Sequence, residues 1–410
     1  MKKIISCLLV FLVVTSTFAL SDGEKKEVEK LISWGEQAVN LKSFPQAVEI
    51  FEEALRIDPT NAKANFYAGV LKPFVLVEGI VPKIGQVLTS AEFEKLMERV
   101  KKSRDEAKEI SLYFPYFIDF LLKPSSKNGE VITPWKTIAD IQSALSREGG
   151  AFAVLEESIS RLSLVLKEPG FSLMVNLAVI VGDKKDALPY EKEINLAEVA
   201  LVKGIFHALL FVGNTLSAYE LDTLLKVMRE LGENATFPKV LEELRKEENK
   251  NSLTLREGGA ASLQNAHRNL IGVVDSLVAV LDLAVEEISK GENNQEDDLL
   301  PAKQLAEMAS DFKPILTLVK EIVSSRYEVK NPNSGEVVVV LNLPALFSGQ
   351  NTDFKKLLPT AFDDEGEPTA WGDNTLGGIF PNGDWPEAME KLAENPEIRA
   401  ILQIIFGFFK

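Results

Sequence analysis

One stretch constrains the fold more than any other: Trp34 to Pro59, WGEQAVNLKSFPQAVEIFEEALRIDP, which has the pattern of two helices joined by a short turn. Within it, small and bulky side chains alternate at helical spacing: Gly35, Ala47 and Ala54 are small, and Phe44 and Phe51 are bulky. Two helices approach to about 8–10 Å only where the side chains at their crossing are small. The stretch therefore predicts a tight helical hairpin that ends at Pro59.

This pattern resembles the tetratricopeptide repeat, a 34-residue antiparallel helix pair with small residues where the helices cross, bulky ones where they interlock and a final proline. The matching positions are Gly35, Ala47 and Ala54 (small), Phe44 and Phe51 (bulky) and Pro59 (terminator). Leu31 and Ala38 stand where the family commonly has aromatic residues. The resemblance implies stacked helical hairpins whose concave face binds other polypeptides.

A second repeat begins at Ala62, with Gly69 at the position that corresponds to Gly35. Its second helix does not follow, because Val81 and Gly85 occupy later signature positions and Pro82 intrudes. About three repeats are normally needed to bury the faces of the helices. We therefore expect the hairpin to pack against downstream helices of this chain or against another protein.

The first residues have the pattern of a secretory signal peptide, residues 1–19. Lys2 and Lys3 precede an apolar run from Ile4 to Val14, and small residues stand before a cleavage site after Ala19. The residues around Cys7 resemble a lipobox, but too few residues precede it for an apolar region. The sequence thus predicts export to the periplasm or cell envelope and no membrane span once the signal is cleaved.

Cysteine usage and charge exclude several classes of function. Cys7 is the only cysteine, so the mature chain would have no disulfide, no thiolate nucleophile and no cysteine-ligated zinc. The formal net charge is -16. Such an acidic chain repels phosphate backbones and anionic lipid surfaces, so nucleic acid is not expected as a partner.

The chain divides by composition into a repeat-like helical region (24–123), an α-rich body (130–330) and a C-terminal mixed region (331–410) with a strand and a loop-rich segment. The turn-rich PSSKNGE from Pro124 to Glu130 marks the first boundary. The predicted fold class is mainly α: repeat-like helical hairpins packed on an α-rich body with a small β element.

Two runs read as β-structure. The apolar run from Phe171 to Val181 predicts a strand that pairs with Tyr190 to Leu196, a hairpin near 171–196. The run from Glu336 to Leu343 predicts another strand. We expect these runs to form one small sheet.

Two long helices are predicted between these runs. Asn195 to Tyr219 is apolar almost all round, which indicates a buried helix, and Lys203 argues against a membrane span. Ser262 to Ser289 is amphipathic. Further helices are expected to start at Asp384-Trp385 and at Asn395-Pro396, the last one ending in the apolar IIFGFF.

Few residues suggest chemistry. His207 lies in the apolar helix and is predicted to be a hydrogen-bonded core residue, whereas His267 is predicted at the surface or as a cap. Trp371 and Trp385 are predicted to form either an aromatic platform for a ligand or part of a local core. Side chains with oxygen ligands concentrate in one glycine-rich segment and are candidates for binding calcium. They are Asp363, Asp364, Glu365, Glu367, Asp373, Asn382 and Asp384, and a second such run extends from Glu292 to Asp298. The alternative is that these segments are solvated loops.

The functional expectation is an exported interaction or scaffold protein of the bacterial cell envelope, with a protein or peptide as its partner. The alternative is a periplasmic component that binds a small apolar ligand between the Asn195 and Ser262 helices. No phosphate loop, nucleophile elbow or zinc motif is present, so no catalytic, cofactor or metal residue is assigned and an enzyme is not expected.

Overall fold

The computed structural model describes residues 20–394 except 40–42, 86, 90–91, 100, 103–118, 120, 123–125, 128–129, 132–134, 147, 177–190, 292–299, 301 and 332–333. It is 67% helical with few short strands, which confirms the predicted mainly α fold with a small β element. The predicted signal segment 1–19, the acidic run Glu292 to Asp298 and the C-terminal IIFGFF lie outside the described residues.

The helices of the described chain are α1 (Asp22–Ala38), α2 (Phe44–Ile57), α3 (Ala62–Val77), α4 (Ile80–Ile84), α5 (Ile138–Ser146), α6 (Ala151–Val165), α7 (Leu196–Ala218), α8 (Asp222–Leu231), α9 (Phe237–Leu244), α10 (Gly259–Lys290), α11 (Ala302–Ser324) and α12 (Trp385–Glu394), with a further helical stretch at 92–99. The longer helices form a chain of contacts in which α1 packs on α2, α2 on α3, α3 on α6, α6 on α7, α7 on α10 and α10 on α11. The N-terminal hairpin thus continues into downstream helices of the same molecule.

Local signals fix where several of these helices begin and end. Ser21 caps α1 by a reciprocal capping box with Glu24, and Asn195 caps α7 in the same way with Glu198. At both ends of α10 a glycine takes the left-handed conformation, Gly258 with φ 77° and Gly291 with φ 71°. A side chain with a Cβ would be strained in that region, so glycine sets the limits of this helix.

One apolar core extends from Val28 in α1 to Leu210 in α7. It includes Phe51 of α2 and Leu162 of α6, both fully buried. The helix α3, which carries Gly69, packs on α6 from far along the chain. The repeat-like hairpin is therefore completed by the body and does not form a separate unit.

The described strands form four separate two-stranded antiparallel hairpins: β1 (Ser126–Lys127) with β2 (Glu130–Val131), β3 (Leu173–Asn176) with β4 (Glu191–Ile194), β5 (Tyr327–Lys330) with β6 (Val337–Leu341), and β7 (Pro359–Phe362) with β8 (Pro368–Trp371). The pairing of β3 with β4 matches the predicted hairpin. The expectation of one shared sheet is wrong, because the valine-rich β6 pairs with β5, which directly precedes it.

The hairpin of β1 and β2 overlaps the turn-rich segment that marks the predicted boundary near residue 124. At the other predicted boundary, β5 ends at Lys330 and pairs across it with β6. The strands β5 and β6 then pack with α11 and α12 around Val329, Val339 and Phe380. The C-terminal region therefore shares a small apolar cluster with the last helix of the body.

The helix α7 differs from expectation on one face. Ile205, Leu209, Val212 and Leu216 are each about half exposed, between 48% and 53%, so the prediction of a wholly buried helix is wrong. By length and composition α7 is the one helix of the described residues that could cross a membrane, despite Lys203, with 39% of its most apolar window buried. A core helix of a folded domain meets the same criterion.

Candidate functional site

The crossing of α1 and α2 brings together the small and bulky residues that the sequence singles out. A Cβ on Gly35 would lie 2.6 Å from ring carbons of Phe51, so only glycine fits there. Ala47 and Ala54 are fully buried. Phe51 is also fully buried and stacks on Tyr67 of α3, with ring centroids 4.6 Å apart and planes 10° from parallel. The crossing therefore locks α1, α2 and α3 to one another.

The remaining pattern residues lie at the edges of this crossing. Phe44 begins α2, is 2% exposed and has its ring 6.2 Å from that of Phe74. Pro59 is exposed in the turn before α3, where its carbonyl accepts a hydrogen bond from the Asn65 side chain at 2.9 Å. A Cβ on Gly69 would meet the Cβ of Arg161 in α6 at 3.3 Å. The absence of a side chain at Gly69 therefore allows α3 and α6 to approach closely.

An ion-pair network ties α2, α3 and α6 together on one side of this core. The Arg161 guanidinium donates to Glu52 at 2.8 Å and to Glu157 at 2.6 Å, and the Lys72 ammonium reaches Glu157 at 2.7 Å. Burial alone would raise the pKa of Glu157, but its hydrogen bonds from Lys72 and Arg161 outweigh that and lower it. Because Arg161 is largely buried, this network resists screening better than a surface pair.

On another side of α1 and α3 lies an open groove of about 540 Å³. We call it the α1–α3 groove, and its lining is Glu29, Ile32, Ser33, Glu36, Thr60, Asn61, Ala62, Lys63 and Glu168. Three of these residues carry a carboxylate and one an ammonium group. The charged lining makes the groove acidic, and the described part of the chain leaves its volume unfilled.

The walls of the groove are held in place from behind. Asn61 caps α3 by accepting from the Ala64 amide at 3.1 Å. The Tyr67 hydroxyl donates to Glu36 at 3.4 Å, and Lys63 approaches the same carboxylate at 3.9 Å. Burial, together with the negative charge of Glu36, raises the pKa of the Tyr67 hydroxyl, so it stays protonated and can donate this bond. Hydrogen bonds from α3 therefore hold the groove walls from behind.

The sequence analysis did not separate the groove residues from those of the core. A signal was available: Val28, Leu31 and Gly35 face the core, and Glu29, Ser33 and Glu36 recur at helical spacing on the neighbouring face. The sequence did not predict the opposite wall of the groove. Glu168, which forms part of it, follows α6 and reaches the groove only because α6 packs on α3.

A second cleft, about 320 Å³, lies between the start of α7 and the end of α10. The Asn195 amide donates to Glu287 at 2.9 Å between these two helices. The cleft has the volume expected of a small-ligand site, but Glu193, Glu286 and Lys290 also line it. Covering such charges with an apolar molecule would cost several kcal/mol (order of magnitude), so this cleft is unlike the apolar cavity that the small-ligand alternative requires between these helices.

The two histidines have different roles in packing. His207 is half-buried and hydrogen-bonds through Nδ1 to the Asn269 side chain at 2.8 Å, and a Cβ on Gly272 would lie 2.5 Å from that nitrogen. Burial lowers the pKa of His207. His267 hydrogen-bonds through Nε2 to the Val323 carbonyl at 2.7 Å and stacks on Phe347. It therefore caps the last turn of α11, and a cap is one of the two placements that the sequence predicted.

In the acidic glycine-rich segment, two carboxylates accept hydrogen bonds from backbone amides of the same segment. The Asp363 carboxylate accepts from the amides of Glu365 and Glu367, and that of Asp373 accepts from Thr375 and Gly377. Asp364 and Asp384 are exposed. In the described ranges no three His, Cys, Asp or Glu side chains group so as to hold a metal ion.

Trp371 and Trp385 pack edge to face, with ring centroids 4.5 Å apart. Trp385 also joins the apolar cluster beneath β6. The pair is thus part of the local packing of the C-terminal region.

No protein-family model, no curated protein and no solved structure shows significant similarity to this chain, so its function has to be argued from its own residues.

Proposed function

We propose that this chain is an exported interaction or scaffold protein of the cell envelope, and that it binds a segment of another polypeptide in the α1–α3 groove. The observation that carries the proposal is the groove itself: about 540 Å³ of open space on helices that Gly35 and Phe51 hold in tight contact. Rigid walls lower the ordering cost of binding because the protein side is already in place.

The lining suggests the chemistry of the partner. Glu29, Glu36 and Glu168 outnumber Lys63, so a partner segment that carries lysine or arginine side chains would be attracted. Ile32 lies beneath the groove and belongs to the core, being 8% exposed. A segment that carries basic side chains therefore fits this lining.

Capture experiments with matched charge reversals test the proposal. Glu29→Lys changes an exposed groove residue in α1, and Glu49→Lys makes the same change on an exposed position of α2 outside the groove lining. We expect intact protein and Glu49→Lys to retain the same partners from an envelope fraction, identified by mass spectrometry, and Glu29→Lys to lose them. Raising the salt concentration should weaken the retained binding, because it screens exposed charges.

Identical captured sets for all three proteins would contradict the proposal, provided that their melting temperatures agree. The small-ligand alternative has weaker support, because the cleft between α7 and α10 carries charged groups. No residue is proposed to be catalytic.

A further inference from the structure

An open cleft of about 610 Å³ lies in the C-terminal region, and we call it the C-terminal cleft. Its lining comes from two short stretches, Gln350 to Lys356 and Trp371 to Asn374. The described part of the chain leaves this space unfilled. Ligand sites in proteins have volumes of about 300–1,000 Å³, so the cleft has room for a small molecule.

Backbone contacts hold the two lining stretches in place. The Thr352 carbonyl accepts from the Leu255 amide at 2.8 Å, and the Asn374 carbonyl accepts from the first amide of α12 at 2.9 Å. The stretches approach each other at Gly372, where a Cβ would lie 2.6 Å from the Lys356 carbonyl oxygen. The cleft is therefore already formed before a ligand enters, which lowers the ordering cost of binding.

Most of the side chains that line the cleft are polar, and four of them are uncharged: Gln350, Asn351, Thr352 and Asn374. Amide and hydroxyl groups offer both hydrogen-bond donors and acceptors. A bond from Asn351 Nδ2 to the Gly377 carbonyl at 3.0 Å orients that amide. Among the described contacts, this bond leaves the second N–H and the Oδ1 of Asn351 for a ligand. The lining therefore favours a ligand whose groups both donate and accept.

The charges around the C-terminal cleft nearly cancel. Asp353 and Asp373 contribute carboxylates to the lining, and Lys356 contributes an ammonium group. The Lys355 ammonium lies 3.2 Å from the Asp353 carboxylate and offsets the remaining negative charge. Unlike the acidic α1–α3 groove, this cleft does not select a partner by its net charge.

The Asp373 carboxylate is a fixed acceptor in the cleft. Its Oδ1 accepts from the Thr375 amide at 2.8 Å and from the Thr375 hydroxyl at 2.7 Å, and its Oδ2 accepts from the Gly377 amide at 2.8 Å. Burial alone would raise the pKa of Asp373, but these hydrogen bonds outweigh that and lower it. The carboxylate therefore stays ionised, and its Oδ2 keeps a lone pair for a second donor such as a ligand hydroxyl.

Trp371 gives the cleft an aromatic surface. Its ring is partly buried and packs edge to face on Trp385, with ring centroids 4.5 Å apart, so its orientation is fixed. The face of an aromatic ring carries partial negative charge and attracts C–H groups such as those on the apolar face of a sugar ring. Trp371 can therefore hold a ring that is apolar on one face and hydroxylated at its rim.

We propose that the C-terminal cleft binds a short, uncharged oligosaccharide. Sugar hydroxyls donate and accept hydrogen bonds, which matches the amide side chains and Asp373. The apolar face of a sugar ring matches Trp371, and the lack of charge matches the balanced lining. A lysine-rich or arginine-rich segment finds no net negative charge here. The proposal is independent of the α1–α3 groove, which lies on other elements of the chain.

Isothermal titration calorimetry with a panel of uncharged trisaccharides tests this proposal: maltotriose, cellotriose, mannotriose, xylotriose and triacetylchitotriose. The test variants are Trp371→Ala and Asn374→Ala, which shorten two lining side chains. The matched controls are Trp34→Ala, at a tryptophan of α1 that is 47% exposed, and Asn382→Ala, at an exposed asparagine that does not line this cleft. Melting temperatures are compared for all variants.

We expect the parent protein to bind at least one trisaccharide with a Kd of about 1 mM or tighter. Trp371→Ala should raise this Kd about tenfold, because it removes the aromatic surface. Asn374→Ala should raise it by a factor of about three to ten, the loss of one hydrogen bond, and both controls should keep the parental value. The Kd should be the same at low and high salt, because the ligand carries no charge to be screened.

The absence of binding to every trisaccharide would overturn the proposal, and so would equal affinity in the test and control variants or a strong dependence on salt. Should Trp371→Ala melt well below the parent, Asn374→Ala decides, because its exposed side chain makes no hydrogen bond in the described part of the chain. A lysine-rich peptide that binds in place of the trisaccharides, and that Asn374→Ala weakens, would assign the cleft to a polypeptide. Glu29→Lys should leave trisaccharide binding unchanged, which separates this test from that of the α1–α3 groove.

Discussion

The crossing of α1 with α2 and the crossing of α7 with α10 both depend on a glycine, but the ring that packs against the glycine differs in its chemistry. In each, a glycine lies directly against a ring of the partner helix: Gly35 against Phe51 and Gly272 against His207. Phe51 is a fully buried hydrocarbon ring stacked on Tyr67, whereas His207 is a half-buried imidazole that hydrogen-bonds to Asn269.

This difference between the two rings shows which interactions stabilise each crossing. Around Phe51 the stabilisation comes from removing apolar surface from water and is insensitive to pH. Around His207 a directional hydrogen bond contributes, and Lys203 and Asp275 also act on the ring through their charges. The crossing of α7 with α10 should therefore tolerate side-chain change better and respond to pH more strongly.

Removal of the Phe51 ring should have the largest effect. Phe51→Ala leaves a cavity at a fully buried position, which typically costs about 3–5 kcal/mol in the free energy of unfolding. Urea denaturation followed by circular dichroism measures this cost. The control Phe237→Ala removes a ring that is 53% exposed, and a loss of about 1 kcal/mol or less is expected there. Equal losses in the free energy of unfolding for the two variants would show that the α1–α2 crossing does not stabilise the core.

Adding one methyl group to each glycine compares the two crossings directly. Gly35→Ala places a Cβ 2.6 Å from a ring that cannot move, so we expect a net loss of about 1–3 kcal/mol. Gly272→Ala places a Cβ 2.5 Å from the half-buried His207 ring, which can turn towards solvent at the expense of its hydrogen bond. Its loss should be smaller because that ring can give way, whereas the gain of about 1 kcal/mol that alanine brings to a helix is common to both variants. Thermal unfolding of both variants gives the ranking, and the reverse order would contradict this account.

The pH response should be the smallest effect. Burial lowers the pKa of His207 below its ordinary value of 6.5, so the unfolded chain takes up a proton at a higher pH than the folded one. The free energy of unfolding should therefore fall as the pH drops through 6.5 towards the folded pKa, and below that pKa the loss is complete. His207→Gln should flatten this part of the profile.

Urea midpoints between about pH 5 and 8 measure this response, since this range brackets the ordinary pKa of histidine and most carboxylates do not titrate in it. The same measurement on Gly35→Ala should show the parental slope. An NMR titration that places the pKa of His207 above 6.5 would contradict the prediction.

Some of the fold and of the site could be predicted and some could not. The pairing of β3 with β4 was predicted because both strands are close in sequence and flank a turn signal. The partner of β6 was not, because β5, YEVK, is short and lacks an apolar run. The groove wall at Glu168 and the identity of the helix that His267 caps depend on contacts between distant segments, which have no local signature.

The sequence by itself determined the helices and the close approach at Gly35, because helical periodicity and the size of a side chain are local properties. The tertiary structure decided that α6 packs on α3 and that one face of α7 stays outside. It also left the α1–α3 groove open. These outcomes depend on which apolar faces compete for the same neighbours, and that competition is settled only when the whole chain packs.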